Sequence, residues 1–263
     1  MNISFIGFGS MAQALAKGLI KNPMNTLRAA APSLSVGINE RGIQTDPNNL
    51  AVIPDADILI LAVKPAQMNT VLMQLNTIQL PKHCLIISIA SGLSLHWFAN
   101  LLPQAAIVRA MPNIAAAVGK GATPLIANAF VTPEQKKMAE EIFISIGIIT
   151  WAKKESLMDA FTALSGSGPA YVFLFLEAII AAGIDLGIND AIAKNFALQT
   201  FNGALCLAAE SKLSLAELRK TVTSPAGTTA AAMAVFTKNQ LNDTIRKAME
   251  AAFLRAQALG GQG

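Results

Sequence analysis

The sequence predicts an α/β fold: an N-terminal, doubly wound, mostly parallel sheet followed by an all-α C-terminal region. Three observations carry that expectation. Up to Trp151, short apolar runs of strand character alternate with helical patterns, the order that builds an open sheet with helices on both faces. Beyond Lys153 the strand signals stop and only helical patterns remain. At the N-terminus, the apolar run Ile3 to Ile6 leads into Gly7-Phe8-Gly9-Ser10-Met11-Ala12 and then an amphipathic pattern from Met11 to Ile20. Strand, Gly-x-Gly turn and helix in that order hold a dinucleotide pyrophosphate, which makes the first domain Rossmann-type. Gly7 permits the tight turn, Gly9 lets backbone N–H groups approach the phosphate, and Ala12 is small enough for helix and strand to pack closely. The helix start adds unpaired N–H donors and a dipole that favours the anion. Without that strand and helix, the same glycines would mark an ordinary turn.

The remaining elements follow in order. Leu27 to Ala31 is a second short strand, and an irregular stretch to Asn49 holds a further strand at Gly42 to Thr45. Asp57 to Val63 is an unbroken apolar run, as a parallel strand buried on both faces requires. Lys64 ends it, and Pro65 suits the first turn of the next helix. Cys84 to Ala90 is a strand closed by Ser91-Gly92, and Ala106 to Ala110 one closed by Met111-Pro112. Two more strands are expected at Pro124 to Ala129 and Gly147 to Trp151, with a helix from Pro133 to Ile146 between them. The helical region then reads Ser156 to Leu164, Pro169 to Leu186, Asn189 to Glu210, a helix opened by the Ser214/Glu217 capping box, Thr228 to Phe236, and Asn242 to Leu259. The boundary falls in Trp151 to Glu155. Residues 1–152 are expected to form the dinucleotide domain and 153–263 the helical one.

Composition narrows the class. Of 263 residues, 53% are hydrophobic and only 14% charged, against about 25% charged in an average soluble domain. The Pro169–Leu186 pattern is apolar almost all round, and such a helix must be covered on every side. The run Tyr171 to Ile184 is interrupted by Glu177 and falls short of the roughly 18–20 residues of a membrane span. The N-terminus lacks the basic flank and cleavage pattern of a secretory signal. A second copy is therefore the expected cover. Cys84 and Cys206 lie in apolar runs and are expected to be buried, inert thiols of a cytoplasmic protein, with no metal-ligand spacing. The basic pairs Lys136-Lys137, Lys153-Lys154 and Arg246-Lys247 are isolated and flanked by acids, unlike a nucleic-acid footprint. The net charge of +4 suits small anionic ligands.

Two further landmarks carry chemistry. Ser165-Gly-Ser-Gly-Pro-Ala-Tyr171 reads as a glycine turn with free N–H groups before a Pro-initiated helix. No strand precedes Ser167, and His83 and His96 read as surface or loop side chains, so a nucleophilic serine triad is poorly supplied. Ser224-Pro-Ala-Gly-Thr-Thr229 opens another helix. Read from its residues, it is either a carboxylate cradle of N–H groups and hydroxyls or a plain cap by Thr228 or Thr229. No acid occurs in Ala29 to Leu34, where an NAD site places one for the ribose 2′-hydroxyl. Ser33, with Arg28 nearby, would accommodate a 2′-phosphate, which tilts the cofactor toward NADP.

Together the landmarks resemble those of the pyrroline-5-carboxylate reductases. The likeness runs over nearly the whole chain, through Ile6-Gly-Phe-Gly-Ser-Met-Ala12, Leu61-Ala-Val-Lys-Pro65, Arg109-Ala-Met-Pro-Asn113, Asp159 to Tyr171 and Ser224 to Thr229. One departure is Pro225-Ala226-Gly227, where the family commonly has Pro-Gly-Gly. The resemblance implies hydride reduction of the C5=N imine of L-1-pyrroline-5-carboxylate to L-proline, the final step of proline biosynthesis. The cofactor is NADPH, with NADH as the alternative, and neither a metal nor a covalent nucleophile is needed. It implies cofactor contacts from Gly7, Phe8, Gly9, Ser10, Met11, Ala12, Ala62, Val63, Lys64 and Pro65, with Met111, Pro112 and Asn113 shaping the nicotinamide side; Ser33 joins them from the reading of the second strand's end. Ser224, Gly227, Thr228 and Thr229 would hold the substrate carboxylate, with Thr229 as the catalytic residue at the imine nitrogen. It further implies a homodimer or higher homo-oligomer through the C-terminal helices, and no partnership with nucleic acid or membrane.

Two other classes compete. β-Hydroxyacid and 6-phosphogluconate-type dehydrogenases share a Rossmann domain followed by helices but use a catalytic lysine, whereas no lysine follows Ser165–Tyr171 until Lys194. A non-catalytic nucleotide sensor would keep Gly7 and Gly9 without needing Ser224 to Thr229.

Overall fold

A computed structural model describes residues 1–260 of the chain. It divides into two compact units, one of Met1–Pro169 with residues 251–260, the other of Ala170–Glu250.

The first unit is built on a nine-stranded sheet. Its strands are β1 (Asn2–Ile6), β2 (Thr26–Ala30), β3 (Gly37–Ile38), β4 (Gln44–Asp46), β5 (Ile58–Leu61), β6 (Leu85–Ser88), β7 (Ile107–Ala110), β8 (Gly121–Ala127) and β9 (Gly147–Trp151), in the order β3-β4-β2-β1-β5-β6-β7-β8-β9. The β4, β2, β1, β5, β6 and β7 pairings are parallel. Alternation along the central strands splits the core between two faces. Ile58 and Ile60 join Leu15 and Leu19 of helix α1 (Ser10–Leu19) and Ile142 and Phe143 of α4 (Pro133–Ile144). Leu59 and Leu61 face Met68 and Leu72 of α2 (Pro65–Leu75) and Phe98 of α3 (Leu95–Leu101). The doubly wound, mostly parallel architecture is the one the sequence predicts.

Three details differ from expectation. β8 runs antiparallel to β7, because only residues 111–120 connect them, too few for a crossover helix. β3 is an additional short strand within the irregular stretch, antiparallel to β4. Helix α3 lies between β6 and β7, where the sequence predicts no element. It starts at Ser94, whose hydroxyl accepts from the Trp97 N–H, and it carries the exposed His96. His83 is exposed as well, 3.4 Å from Asp57.

The expected helices at Ser156 and Pro169 are one continuous helix, Leu157 to Asp185. It comprises α5 (Leu157–Phe161), a π-helical turn (Thr162–Gly166) and α6 (Gly168–Asp185). It is long and apolar enough to cross a membrane by length and composition only, longer than the run read from the sequence because the glycines do not break it. The Ser167 N–H donates to the Thr162 carbonyl at 2.8 Å, so the Ser165–Gly168 segment is part of the helix and not the free-donor turn expected of it.

The second unit holds most of α6, then α7 (Asp190–Glu210), α8 (Leu215–Thr221), α9 (Thr228–Lys238) and the first half of α10 (Leu241–Gly260). The Ser214/Glu217 capping box forms as predicted. Arg246 and Lys247 lie beside Asp243 and Glu250, as expected of a solvated face. Large apolar side chains, among them Leu174, Leu186, Phe196 and Leu207, are each at least 65% exposed. Of the described residues in this unit, only Ala193 and Ala197 among the hydrophobics are buried. Cys206, expected to be buried, is exposed on α7, because helix faces in this unit lack cover within one chain. Cys84 is buried as expected; burial, reinforced by the charge of Asp57, pushes its thiol up to about 12 and keeps it protonated.

Candidate active site

The Gly-x-Gly segment lies at the C-terminal end of β1, between β2 and β5, where chain order reverses across the sheet. Open α/β sheets bind ligands at such a switch point. The Gly7 N–H donates to the Ala30 carbonyl and the Ala62 N–H to the Ile6 carbonyl, both at 2.8 Å, which closes the turn onto its neighbours. Gly7 has φ +86°, and a Cβ there would lie 2.8 Å from the Ala62 carbonyl, so only glycine fits. Gly9 has φ −75° and caps α1 without a side chain, and a Cβ there would meet nothing within 4 Å. The first rung of α1 is the Gln13 N–H to the Gly9 carbonyl at 3.0 Å. That leaves the N–H groups of Ser10, Met11 and Ala12 outside the helical ladder. With no acidic residue in the first turn, the helix start is free to receive an anion. Ala12 is 1% exposed, packed as its small size predicts.

A crevice of about 540 Å³ opens here, lined by Gly7, Phe8, Gly9, Ala62, Val63 and Lys64. Ala31 and Pro32 extend it at the end of β2, and Ser33 follows them, exposed. Pro65 is the first residue of α2 and lines the neighbouring cavity with Ala66. The residues fit a dinucleotide: bare backbone at Gly9, free donors at α1, and the Lys64 cation beside them. Sequence reasoning missed the polar face that Gln67, Thr70 and Gln74 of α2 turn into the crevice, and Asn49, whose side-chain amide donates to Gln74 Oε1 at 2.8 Å. Their i, i+3, i+7 spacing behind Pro65 was the available signal. Arg28 corrects an expectation. Its guanidinium donates to the Pro54 carbonyl, on the loop entering β5. It therefore points toward the end of the sheet opposite the crevice and is not poised for a 2′-phosphate.

Met111, Pro112 and Asn113 follow β7, at the same edge of the sheet, but are not part of the crevice lining. Asn113 is 8% exposed, and protein engages both ends of its amide. Nδ2 donates to the Ser165 carbonyl at 2.9 Å, and Oδ1 accepts from the Ala122 N–H at 3.2 Å. Nearby, the Arg109 guanidinium contacts Glu155 Oε1 at 3.0 Å, and the same oxygen accepts from the Leu95 N–H at 2.7 Å. Burial raises the pKa of the adjacent Asp159 carboxyl, while Arg109 lowers it and Glu155 adds to the rise. Arg109 is 5% exposed, so Glu155→Ala strands a buried cation. Because Glu155 itself is 29% exposed, the expected loss is about 2 kcal/mol, below that for a fully buried pair. Urea unfolding measures it, and a change within about 0.5 kcal/mol, as at an ordinary surface site, would contradict it.

In the second unit, Ser224, Gly227, Thr228 and Thr229 gather at the start of α9, with Gly227 as N-cap and no side-chain cap bond. The plain-cap alternative, with a Thr228 or Thr229 hydroxyl capping the helix, is thus not realised. The Gly227 N–H already donates to the Ser224 carbonyl at 3.1 Å, so it is not the free donor expected of it. The ladder starts at the Ala231 N–H to the Gly227 carbonyl, which leaves the donors of Thr228, Thr229 and Ala230 available. A Cβ at Gly227 would collide with Ser224 Oγ, so glycine there lets the serine hydroxyl approach the loop. Ala226 has φ +58°, a left-handed conformation that costs an L-residue about 1–2 kcal/mol. Ala226→Gly relieves that strain but loosens the unfolded chain, which offsets about 0.4–1 kcal/mol. The expected net gain lies between zero and about 1.6 kcal/mol in a denaturation experiment; a loss would show that the alanine methyl is held by contacts outweighing the strain.

A doubly wound sheet with a glycine-rich turn at its switch point, joined to a helical region bearing a donor-rich loop, defines a dinucleotide-dependent oxidoreductase of the Rossmann class. Residues 155–259 match the family model described as pyrroline-5-carboxylate reductase dimerisation, and residues 2–92 that described as NADP oxidoreductase coenzyme F420-dependent. The chain is 39% identical to the pyrroline-5-carboxylate reductase of Pseudomonas aeruginosa, over 99% of its own length and 97% of the relative's. The structure of a pyrroline-5-carboxylate reductase from Coxiella burnetii superposes with a TM-score of 0.91 at 38% identity, covering 98% of each chain. That of Plasmodium falciparum pyrroline carboxylate reductase with NADP bound gives 0.89 at 32% identity, covering 99% of this chain and 98% of that one. This chain belongs to the pyrroline-5-carboxylate reductase family.

Proposed function

We propose that this chain reduces the C5=N imine of L-1-pyrroline-5-carboxylate to L-proline, the final step of proline biosynthesis, with NADPH as the preferred reductant. The observation that carries the reading is the pairing, in one family member, of the bare glycine crevice with the unspent donors at Thr228 and Thr229. When bound, NADPH supplies the hydride that C5 accepts. Ser10, Met11 and Ala12 would offer their N–H groups to the pyrophosphate at the Gly7-Phe8-Gly9 turn, and Ala62, Val63, Lys64 and Pro65 would flank it. Ser33, beyond the end of β2 in a stretch, Ala29 to Leu34, that has no acid, would meet a 2′-phosphate. Met111, Pro112 and Asn113 shape the nicotinamide side. Thr228 and Thr229 donate to the substrate carboxylate with the Ser224 hydroxyl alongside, and Gly227 keeps that serine close. The Thr229 hydroxyl, which makes no hydrogen bond among the described residues, serves the imine nitrogen and assists its protonation. One hydride at C5 and one proton at nitrogen complete proline, so neither a metal nor a covalent nucleophile is required. Incubation with pyrroline-5-carboxylate and reductant deuterated at the transferring position should give proline labelled at C5; label elsewhere, or no proline, would reject the reading.

The exposed apolar helices of the second unit are covered, in this reading, by a second copy in a homodimer or larger homo-oligomer. An obligate interface of this kind resembles a domain core cut in half and resists dilution. Light scattering at micromolar protein should report at least a dimer; a monomer, or a chain that pellets with lipid vesicles, would contradict it. The two free cysteines, Cys84 and Cys206, support a cytoplasmic site of action.

A further inference from the structure

The Met111-Pro112 segment is pinned at both ends onto one stretch of chain. At one end is the Arg109–Glu155 pair at 3.0 Å, and at the other the Asn113 Nδ2 bond to the Ser165 carbonyl at 2.9 Å. The need for the second pin comes from the sequence. In an α-helix the Ser165 carbonyl would accept from the N–H four residues on, but that residue is Pro169, which has none. The helix widens into a π-turn at Thr162–Gly166, a form found often at functional sites. The amide of Asn113 meets the carbonyl so released. Between the pins, the Met111 methyl packs on the bare backbone of Gly166, where a Cβ would lie 3.3 Å from Met111 Cε.

We propose that Asn113 is a positioning residue, which by bridging the Ser165 carbonyl and the Ala122 N–H holds Met111 in place at the nicotinamide side. The proposal rests on the reading above, in which Met111 and Pro112 flank that ring. The asparagine carboxamide gives a donor to one partner and an acceptor to the other from one planar group. Asn113→Asp keeps the acceptor and loses the donor, and sets a carboxylate against a carbonyl oxygen. Protonating that carboxyl restores an O–H donor. Its pKa should stand above the usual range, because burial and the facing Ser165 carbonyl disfavour the charged form and only the single Ala122 N–H bond favours it. The repair therefore arrives as pH falls.

The test uses the full-length protein with ¹³C-methyl methionine, the Met111 resonance being assigned with Met111→Leu. In Asn113→Asp the Met111 methyl signal should shift or broaden at pH 8 and return toward its wild-type position on acidification. In parallel, kcat relative to wild type should fall about 100-fold at high pH, the scale of an ångström-size misplacement, and recover at low pH. Gly166→Ala approaches from the other side. It should move the same methyl signal and lower kcat without lowering Tm, since alanine favours a helix. An unmoved Met111 signal in Asn113→Asp, or a turnover loss that follows the folded fraction and ignores pH, would overturn the proposal. Wild type that fails to reduce pyrroline-5-carboxylate would overturn the assigned reaction instead, and the methyl signals would still decide the role of Asn113.

Discussion

Gly9→Val is expected to abolish NADPH binding while leaving the fold intact. Position 9 has φ −75°, open to any residue, and a Cβ there meets nothing within 4 Å. The valine branches consequently cost the folded protein little. They project instead into the space through which the Ser10, Met11 and Ala12 N–H groups reach an anion, so the pyrophosphate loses both room and donors. The NADPH dissociation constant should rise at least about 100-fold, or about 2.8 kcal/mol, with Tm nearly unchanged. Gly7→Ala is the contrasting control. There the new Cβ would lie 2.8 Å from the Ala62 carbonyl with φ at +86°, so stability falls along with binding. A Gly9→Val protein with wild-type NADPH affinity would show that the turn has only a structural role.

Thr229→Ala is expected to lower kcat by about 100-fold, the scale for losing one hydrogen-bond donor at a reacting group, with NADPH affinity intact. Thr229 stands at the second position of α9, where its hydroxyl has no role in the cap. Its removal should therefore cost the helix little. Thr229→Ser keeps the hydroxyl and should recover most of the turnover, which separates the hydrogen bond from packing of the methyl. Loss of NADPH affinity in Thr229→Ala, or no recovery with serine, would contradict the role given to that hydroxyl.

The parallel core of the fold was legible because its strands are buried on both faces. Ile58-Leu-Ile-Leu61 and Leu85-Ile-Ile-Ser88 have every residue buried and read as unbroken apolar runs. The reversal at β8 was hidden, since strand character carries no direction and only the length of the 111–120 link reveals it. Helix α3 was missed because its seven residues bury only Phe98 and leave a weak period. The Gly-x-Gly turn and the Ser214/Glu217 capping box were legible because they are local chemistry, fixed by residues within a few positions. Asn113 and Gly227 were harder. Their hydrogen bonds, to Ser165 and to Ser224, depend on where carbonyl groups fall after folding, so a residue expected to shape the nicotinamide side and one expected as a free donor both turn out to be engaged with protein. Arg28 failed for the same reason: nearness in sequence to Ser33 says nothing of which end of a strand a side chain serves. Cys206 was assigned to a core that one chain does not complete.

The most direct test of the assigned reaction is the loss of NADPH absorbance on adding pyrroline-5-carboxylate, run beside NADH and beside a β-hydroxyacid with oxidised cofactor. Oxidation of NADPH in step with proline formation, faster than with NADH and with no turnover of the hydroxyacid, is the expected result. NADPH that binds but is not consumed would contradict the account and place the chain's chemistry on another substrate.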